Sequence, residues 1–342
     1  MEISENTLKK IQILKDKYAS IGQDLDSYLD GLIYANPLAY WDYIEVDALL
    51  SLQKPKTDFP DEKIFIVYHQ ITELYFYLIQ HELDQICRNG KIISEIGQDL
   101  GWNDKLDKDF FIARLKRCNM YFNTLTRSFD VMRLGMEKDQ FTKFRMSLLS
   151  ASGFQTASYR KIEISCTDLK YLVHENERKQ LWDSDYHTQL DNIYWRRGAI
   201  VEGTGEKTLT LRDFENKYLD YFHEFADEYQ PMNLWKKYKG LSEADQKDPE
   251  LLKEMREIDV NVNINWPLVH YRTAVTYLAR GKGESKGTGG TNWQKYLPPR
   301  FQRRIFYPEL WSEEEIAEWG KKWVEEVLAD GLKTESKLKD KI

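Results

Sequence analysis

Between Ile64 and Ile86 apolar side chains recur at three- and four-residue steps: Ile64, Val67, Ile71, Leu74 or Tyr75, Leu78 and Ile79. That period belongs to a helix, and the breadth of the stripe predicts one buried on most sides. The same period governs much of the chain. It is seen at 4 to 19 (Leu8, Ile11, Leu14, Tyr18), Tyr40 to Gln53, Phe110 to Arg133 and Phe154 to Leu172, with Gly135, Ser152 and Gly153 as turns. A charged stretch, 241 to 258, predicts a surface helix. Ser312 and Glu315 form a capping box ahead of Ile316, Trp319, Trp323 and Val327, with Gly331 as the stop. One exception stands out: Ile200-Val201, Gly203-Thr204-Gly205 and Thr208 to Leu211 predict a small β-hairpin near 199–211. The expectation is an all-α fold, one large helical domain over 1–342, with an N-terminal helix at 4–19, a variable insertion at about 181–262 and a frayed tail at 332–342.

Charge excludes some partners. The net charge of −7 comes from interspersed acids and bases, which argues against a nucleic-acid footprint. The longest stretch without charge, Met146 to Tyr159, is too short for a bilayer span, and the start lacks a secretory pattern, so the expected location is cytoplasmic, away from the membrane. Cys87, Cys118 and Cys166 are widely spaced, with no CxxC pair, and are expected to be buried thiols; with no CxxCH, any haem would be held without a covalent link.

Two of the six histidines sit in apolar stretches. His69 shares a helix face with Phe65 and Glu73, so it is either a core histidine satisfied by Glu73 or a group lining a closed pocket. His270 follows Pro267, a residue suited to a first helical turn, and shares its face with Thr273, Ala274 and Tyr277; Gly281 could end that helix. Small neighbours leave room for a flat cofactor, or simply for close helix packing. A two-iron carboxylate site needs Glu-x-x-His on two helices; no histidine here has Glu three positions earlier, and Asp220 with His223 lies in a polar, surface-like region.

Phe141-Thr142-Lys143-Phe144-Arg145 sets a guanidinium among aromatic rings, where its planar fork would pair with a carboxylate, from the protein or from a substrate. Ser152-Gly153 offers a hydroxyl and an uncrowded N–H to a propionate or another acceptor. The glycine cluster from Gly281 to Gly290 lacks a phosphate-loop pattern and reads as a loop ordering over a ligand through Thr288, or as a linker.

Four of these segments, in this order, resemble the tryptophan 2,3-dioxygenase family: Tyr40-x-x-Tyr43-Ile44-x-x-Asp47; Phe65-x-x-x-His69-Gln70-x-x-Glu73-Leu74; Phe144-Arg145 with Ser152-Gly153-Phe154-Gln155-Thr156 and Tyr159-Arg160-x-x-Glu163; and His270 followed by Gly287 to Gly290. Tyr75, Tyr77 and Ser150 depart from the family's usual residues. The resemblance implies haem b with its iron on His270, and O2 on the side facing His69. It places the carboxylate of L-tryptophan on Arg145, the ammonium on Thr288, and the indole against Phe65 and Phe141. Tyr40, Tyr43 and Ile44 would come from a neighbouring subunit of a homotetramer. The implied reaction inserts O2 across the indole C2–C3 bond to give N-formylkynurenine. A related haem hydroxylase of another aromatic amino acid, or a haem- or indole-binding carrier, are the alternatives.

Overall fold

The computed structural model describes residues 3–34, 39–94, 97–148, 151–201, 204–278 and 304–320. Apart from isolated bridges, the described residues are helices and one small antiparallel sheet, which bears out the all-α expectation. They fall into two compact units, Met1–Gln53 and Lys54–Ile342.

The first unit begins with α1 (Glu5–Ser20), capped by Ser4, whose hydroxyl oxygen accepts the Thr7 N–H at 3.2 Å. After α2 (Leu25–Tyr34), the run expected from Tyr40 to Gln53 is split into α3 (Tyr40–Tyr43) and α4 (Val46–Ser51). The break is at Glu45, which takes a left-handed φ of 52° that no helix can continue through.

In the second unit α5 (Pro60–Cys87) is the long helix that the apolar stripe predicts, with Pro60 in its first turn, where a missing N–H costs nothing. It is not buried on most sides: Tyr68, Phe76, Ile79, Leu83 and Ile86 face the core, whereas Ile71, Leu74 and Leu78 of the stripe are exposed. Its start is fastened twice. Glu62 folds back to accept the N–H groups of Lys56 (2.7 Å) and Thr57 (2.8 Å), and Asp61 accepts the Glu137 N–H at 2.5 Å. The second bond ties α5 to α8 (Lys138–Phe144), so the helix bearing His69 is held to the one leading into Arg145.

The sheet was not foreseen. It pairs β1 (Lys91–Ile93) with β2 (Asp99–Trp102), strands too short and too exposed to leave an apolar alternation. α6 (Lys108–Ser128) ends earlier than its periodicity suggests, and the chain restarts after Phe129 as α7 (Asp130–Leu134). The stretch from Phe154 to Leu172 is likewise interrupted: α9 (Ala157–Cys166) lies between two 3-10 turns, and Thr167 is extended.

Then follow α10 (Glu175–Arg178), α11 (Tyr186–Asp191), α12 (Tyr194–Gly198) and α13 (Leu209–Tyr229). The expected hairpin at 199–211 reduces to the bridge between Ile200 and Lys207, because the Thr208 hydroxyl accepts the Leu211 N–H at 3.3 Å and starts α13 instead. Next come α14 (Leu234–Lys239), α15 (Glu243–Gln246) and α16 (Pro249–Val260). α16 corrects the surface-helix reading of 241–258, since Leu251, Met255 and Ile258 are buried, together with the charged Glu254 and Asp259. α16 passes through a π-helical turn, Asn261–Asn265, into α17 (Trp266–Leu278). Pro267 therefore stands inside a continuous helical run and not at its beginning. Finally, Ser312 and Glu315 form the expected capping box at α18 (Glu313–Ala317), and Trp319 is buried; Trp323, Val327, Gly331 and the tail lie outside the described residues.

The main core joins α5 (Phe76, Ile79, Leu83), α6 (Phe111, Leu115, Phe122), α9 (Ile162), α13 (Phe222) and α16 (Met255). Each such side chain contributes about 1.5–3 kcal/mol by leaving water. Cys87, Cys118 and Cys166 are free thiols buried in this core, and burial raises all three above the usual thiol range.

Candidate functional site

A second, smaller cluster surrounds the candidate residues. Tyr68, Phe129, Met132, Met136, Phe144 and Tyr277 are buried in it, and Phe65, Phe141, Trp266 and Val269 pack against it half-buried. It draws on α5, α7, α8 and α17, the elements that carry His69, Arg145 and His270 or adjoin them. Phe65 lies 6.1 Å from Phe141, and Phe141 lies 4.7 Å from Tyr277, centroid to centroid. The Tyr277 hydroxyl donates to the Met132 carbonyl at 2.6 Å and so pins α17 to α7.

His69 is half-buried under the Phe65 ring, 4.1 Å between centroids. Its Nδ1 is 2.7 Å from the Phe65 carbonyl oxygen. A carbonyl only accepts, so Nδ1 carries the proton and Nε2 keeps its lone pair. Glu73, expected as the partner in the core-histidine reading, is exposed, and the backbone takes its place. Burial lowers the His69 pKa, against the smaller opposing effects of the Phe65 carbonyl and Glu73.

His270 shows the same tendency more strongly. Burial, with a further push from His69, lowers its pKa from 6.5 to about 4, so the imidazole is neutral at neutral pH. Its ring lies 5.7 Å from that of Phe129, which in turn lies 5.5 Å from Tyr68, the residue beside His69. Gly153 stands next to it: a Cβ at that position would be 3.6 Å from Cε1 and 3.9 Å from Nε2. Glycine keeps this edge of the ring uncrowded.

Ser152 is half-buried and caps the 3-10 turn Gly153–Gln155, its hydroxyl oxygen accepting the Phe154 N–H at 3.3 Å. Arg145 is half-buried where α8 gives way to a 3-10 turn, and burial lowers its pKa. Tyr40, Tyr43 and Ile44 belong to the N-terminal unit, where all three are exposed, the tyrosines by more than 70%. Thr288 and the glycine cluster lie outside the described residues.

The motif Tyr159-Arg160-x-x-Glu163 proves to be the centre of a buried ion cluster. Glu163 accepts from Arg160 at 3.0 Å, from the Tyr194 hydroxyl at 2.6 Å, and from Arg304. Both guanidiniums also donate to the Tyr194 oxygen. Two buried cations thus share one carboxylate. Neither Tyr194 nor Arg304 was singled out from the sequence, because pairings 31 and 141 residues from Glu163 leave no local pattern. Phe129 and Tyr68 were missed for a different reason: aromatic residues at helical spacing look the same whether they pack a core or wall a site.

Away from this cluster, His187 pairs with Asp227 at 2.9 Å and His223 with Asp191 at 3.4 Å, beside a depression of about 410 Å³ lined by Asp185, Tyr186, His187 and Asp227. His223 is thus matched with Asp191 across two helices. Among the described residues no three His, Cys, Asp or Glu side chains are grouped to hold a metal ion. No helix among them is long and apolar enough to cross a membrane.

The fold and this site define a class of all-α proteins in which two neutral imidazoles border one aromatic cluster, with a half-buried guanidinium just beyond the helix that carries Phe141 and Phe144. Comparison with known proteins gives the class a family. The model of the tryptophan 2,3-dioxygenase family matches residues 33–262. Proteins named tryptophan 2,3-dioxygenase are similar along most of their length. The one from Ruegeria pomeroyi is 28% identical over 289 residues, covering 81% of this chain and 92% of its own. Those from Bacillus thuringiensis (28%; 80% and 91%) and Bradyrhizobium diazoefficiens (27%; 81% and 92%) are alike in extent. The chain belongs to the tryptophan 2,3-dioxygenase family, and is an oxidoreductase of the dioxygenase kind. The family match stops at residue 262, ahead of His270.

Proposed function

We propose that the chain is a haem-dependent dioxygenase that inserts both atoms of O2 across the indole C2–C3 bond of L-tryptophan, giving N-formylkynurenine. The observation that carries this reading is the pair His69 and His270: two uncharged imidazoles from separate helices in one aromatic cluster, one with its Nε2 lone pair unspent by Phe65.

The residues fit a haem b. A neutral imidazole is what iron requires, and one histidine on a helix is enough to hold a porphyrin. His270 would be that ligand, with Gly153 keeping its edge clear and Ser152-Gly153 near a propionate. Bound there, the group would supply the iron that binds and activates O2. Everything else falls to the polypeptide. His69 Nε2 accepts the indole N–H and fixes the ring in the plane of reaction, while Phe65 and Phe141 wall the ring and exclude water. Arg145, already partly desolvated, takes the substrate carboxylate in a bidentate pair, and Thr288 takes the ammonium. Tyr40, Tyr43 and Ile44, exposed in their own unit, complete the pocket of a neighbouring subunit in a homotetramer acting in the cytoplasm.

Turnover with isotopically labelled dioxygen tests this. Mass spectrometry should find both labelled atoms in one product. A single atom would instead indicate a hydroxylase, and the absence of substrate-dependent oxygen consumption would indicate a carrier.

A further inference from the structure

The helix that bears His270 is not regular. In the turn Asn261–Asn265 the Trp266 N–H reaches five residues back, to the Asn261 carbonyl, so one extra residue is taken up in a single turn. At 3.6 residues per turn, an extra residue changes the phase of everything after it by about 100°. Wound as an ordinary α-helix, the same sequence would carry His270 to a different face relative to α16. Pro267 follows directly: in a regular helix its ring would collide with the Asn263 carbonyl, and the widened turn falls where that conflict arises. Such turns are rare and concentrate at functional sites.

What holds the turn open is a set of buried amides. Asn261 donates to Asn119 Oδ1 at 3.0 Å and accepts from Asn265 at 2.8 Å, while Asn119 donates to the Glu254 carboxylate at 2.8 Å. On the other side Asn263 donates to Asp259 at 2.7 Å. Asp259 also accepts the N–H groups of Phe306 (2.9 Å) and Tyr307 (3.2 Å) and the Trp311 indole N–H (3.0 Å). Asn119, Glu254, Asp259, Asn261 and Asn263 are all buried. Buried polar groups are costly unless paired, and core packing alone would favour apolar residues at 261 and 263. Apart from Asn263 Oδ1, which has no hydrogen-bond partner among the described residues, they are paired, and so fix one conformation against its competitors.

We propose that Asn261, Asn263 and Asp259 are positioning residues for His270: they hold the π-helical turn, and the turn sets the face from which the imidazole projects. This rests on the reading of His270 as the haem ligand. The test uses full-length haem-loaded protein with Asn261→Ala, Asn263→Ala or Asn265→Ala. It reads the iron–histidine stretching band of the ferrous form by resonance Raman and the rate of haem loss to excess apomyoglobin. Helical content is checked by circular dichroism. The expected result is a displaced band and haem loss faster by about tenfold, the scale seen when a group supporting a metal ligand is removed. In a His270→Gly background supplied with imidazole, the same substitutions should change neither readout, because the ligand is no longer tied to the helix. A native band and native haem retention in the folded variants would overturn the proposal. So would an equal effect in the His270→Gly background, which signals general loosening. Should Asn261→Ala and Asn263→Ala not fold, Asn265→Ala, at a half-buried position, decides by the same two readouts. Failure of the underlying reading looks different: His270→Gly would keep its axial ligand without imidazole.

Discussion

His69 donates its Nδ1–H to the carbonyl of Phe65, one helical turn earlier, and by doing so dedicates its other nitrogen to accepting. The bond is local, within α5, so the tautomer is fixed before any ligand arrives. Burial keeps the ring uncharged by lowering its pKa below 6.5. The acid limb of the kcat/KM profile is therefore expected below pH 6.5, where protonation removes the acceptor. His69→Ala should abolish that limb and lower kcat/KM by about tenfold, the scale of one hydrogen bond. An unchanged acid limb in the variant would remove His69 from this role.

Arg145→Ala separates substrate from cofactor. Losing one partner of a desolvated charge pair costs about 2–3 kcal/mol, so KM for L-tryptophan should rise by roughly 30- to 150-fold while the haem absorption spectrum is unchanged. Loss of haem in this variant would place the guanidinium on the cofactor instead.

The depressed pKa of His270 also has a thermodynamic sign. The folded protein resists a proton that the unfolded chain accepts at 6.5, so this group's contribution is complete above pH 6.5 and declines as pH falls toward about 4. Asp259, raised by burial to about 6, acts in the opposite direction over part of the same window. The difference between wild type and His270→Gln isolates the histidine. In urea titrations of the haem-free protein, stability relative to the variant should fall from pH 6.5 to pH 4.

Glu163 is the shared anion of Arg160 and Arg304. Removing it strands two buried guanidiniums, and Glu163→Gln is expected to destabilise the fold by about 3–5 kcal/mol, read as a lowered urea midpoint. A change below 1 kcal/mol would mean that water reaches the cluster.

At Gly153 the effect depends on size. Alanine would place its Cβ in ordinary contact with the imidazole, 3.6 Å from Cε1, and should be tolerated. Valine adds two methyl groups beyond that Cβ, and should weaken haem retention without lowering the unfolding free energy by more than about 1 kcal/mol.

Much of this was legible in the sequence because helical burial is periodic. The α5 stripe announced its helix, whereas the surroundings of His69, Arg145 and His270 left a structural and a functional reading open, and only the family resemblance drew them together. What escaped were features with no period of their own. The left-handed Glu45, the extended Thr167 and the break at Phe129 each cut a run whose side-chain pattern continues. The π-helical turn is hidden most completely, since an asparagine that satisfies another asparagine 142 residues away looks, on its own, like a surface residue. At 251–258 charged residues are as many as apolar ones, yet three buried apolar side chains are enough to seat one face of a helix.

The three thiols give the chain a reporter of its own integrity. Each is sealed in the main core and held in the protonated, unreactive form, so a thiol reagent reaches them only when that core opens. Their labelling rate counts openings of the whole helical assembly, and local movements around the two histidines pass unrecorded.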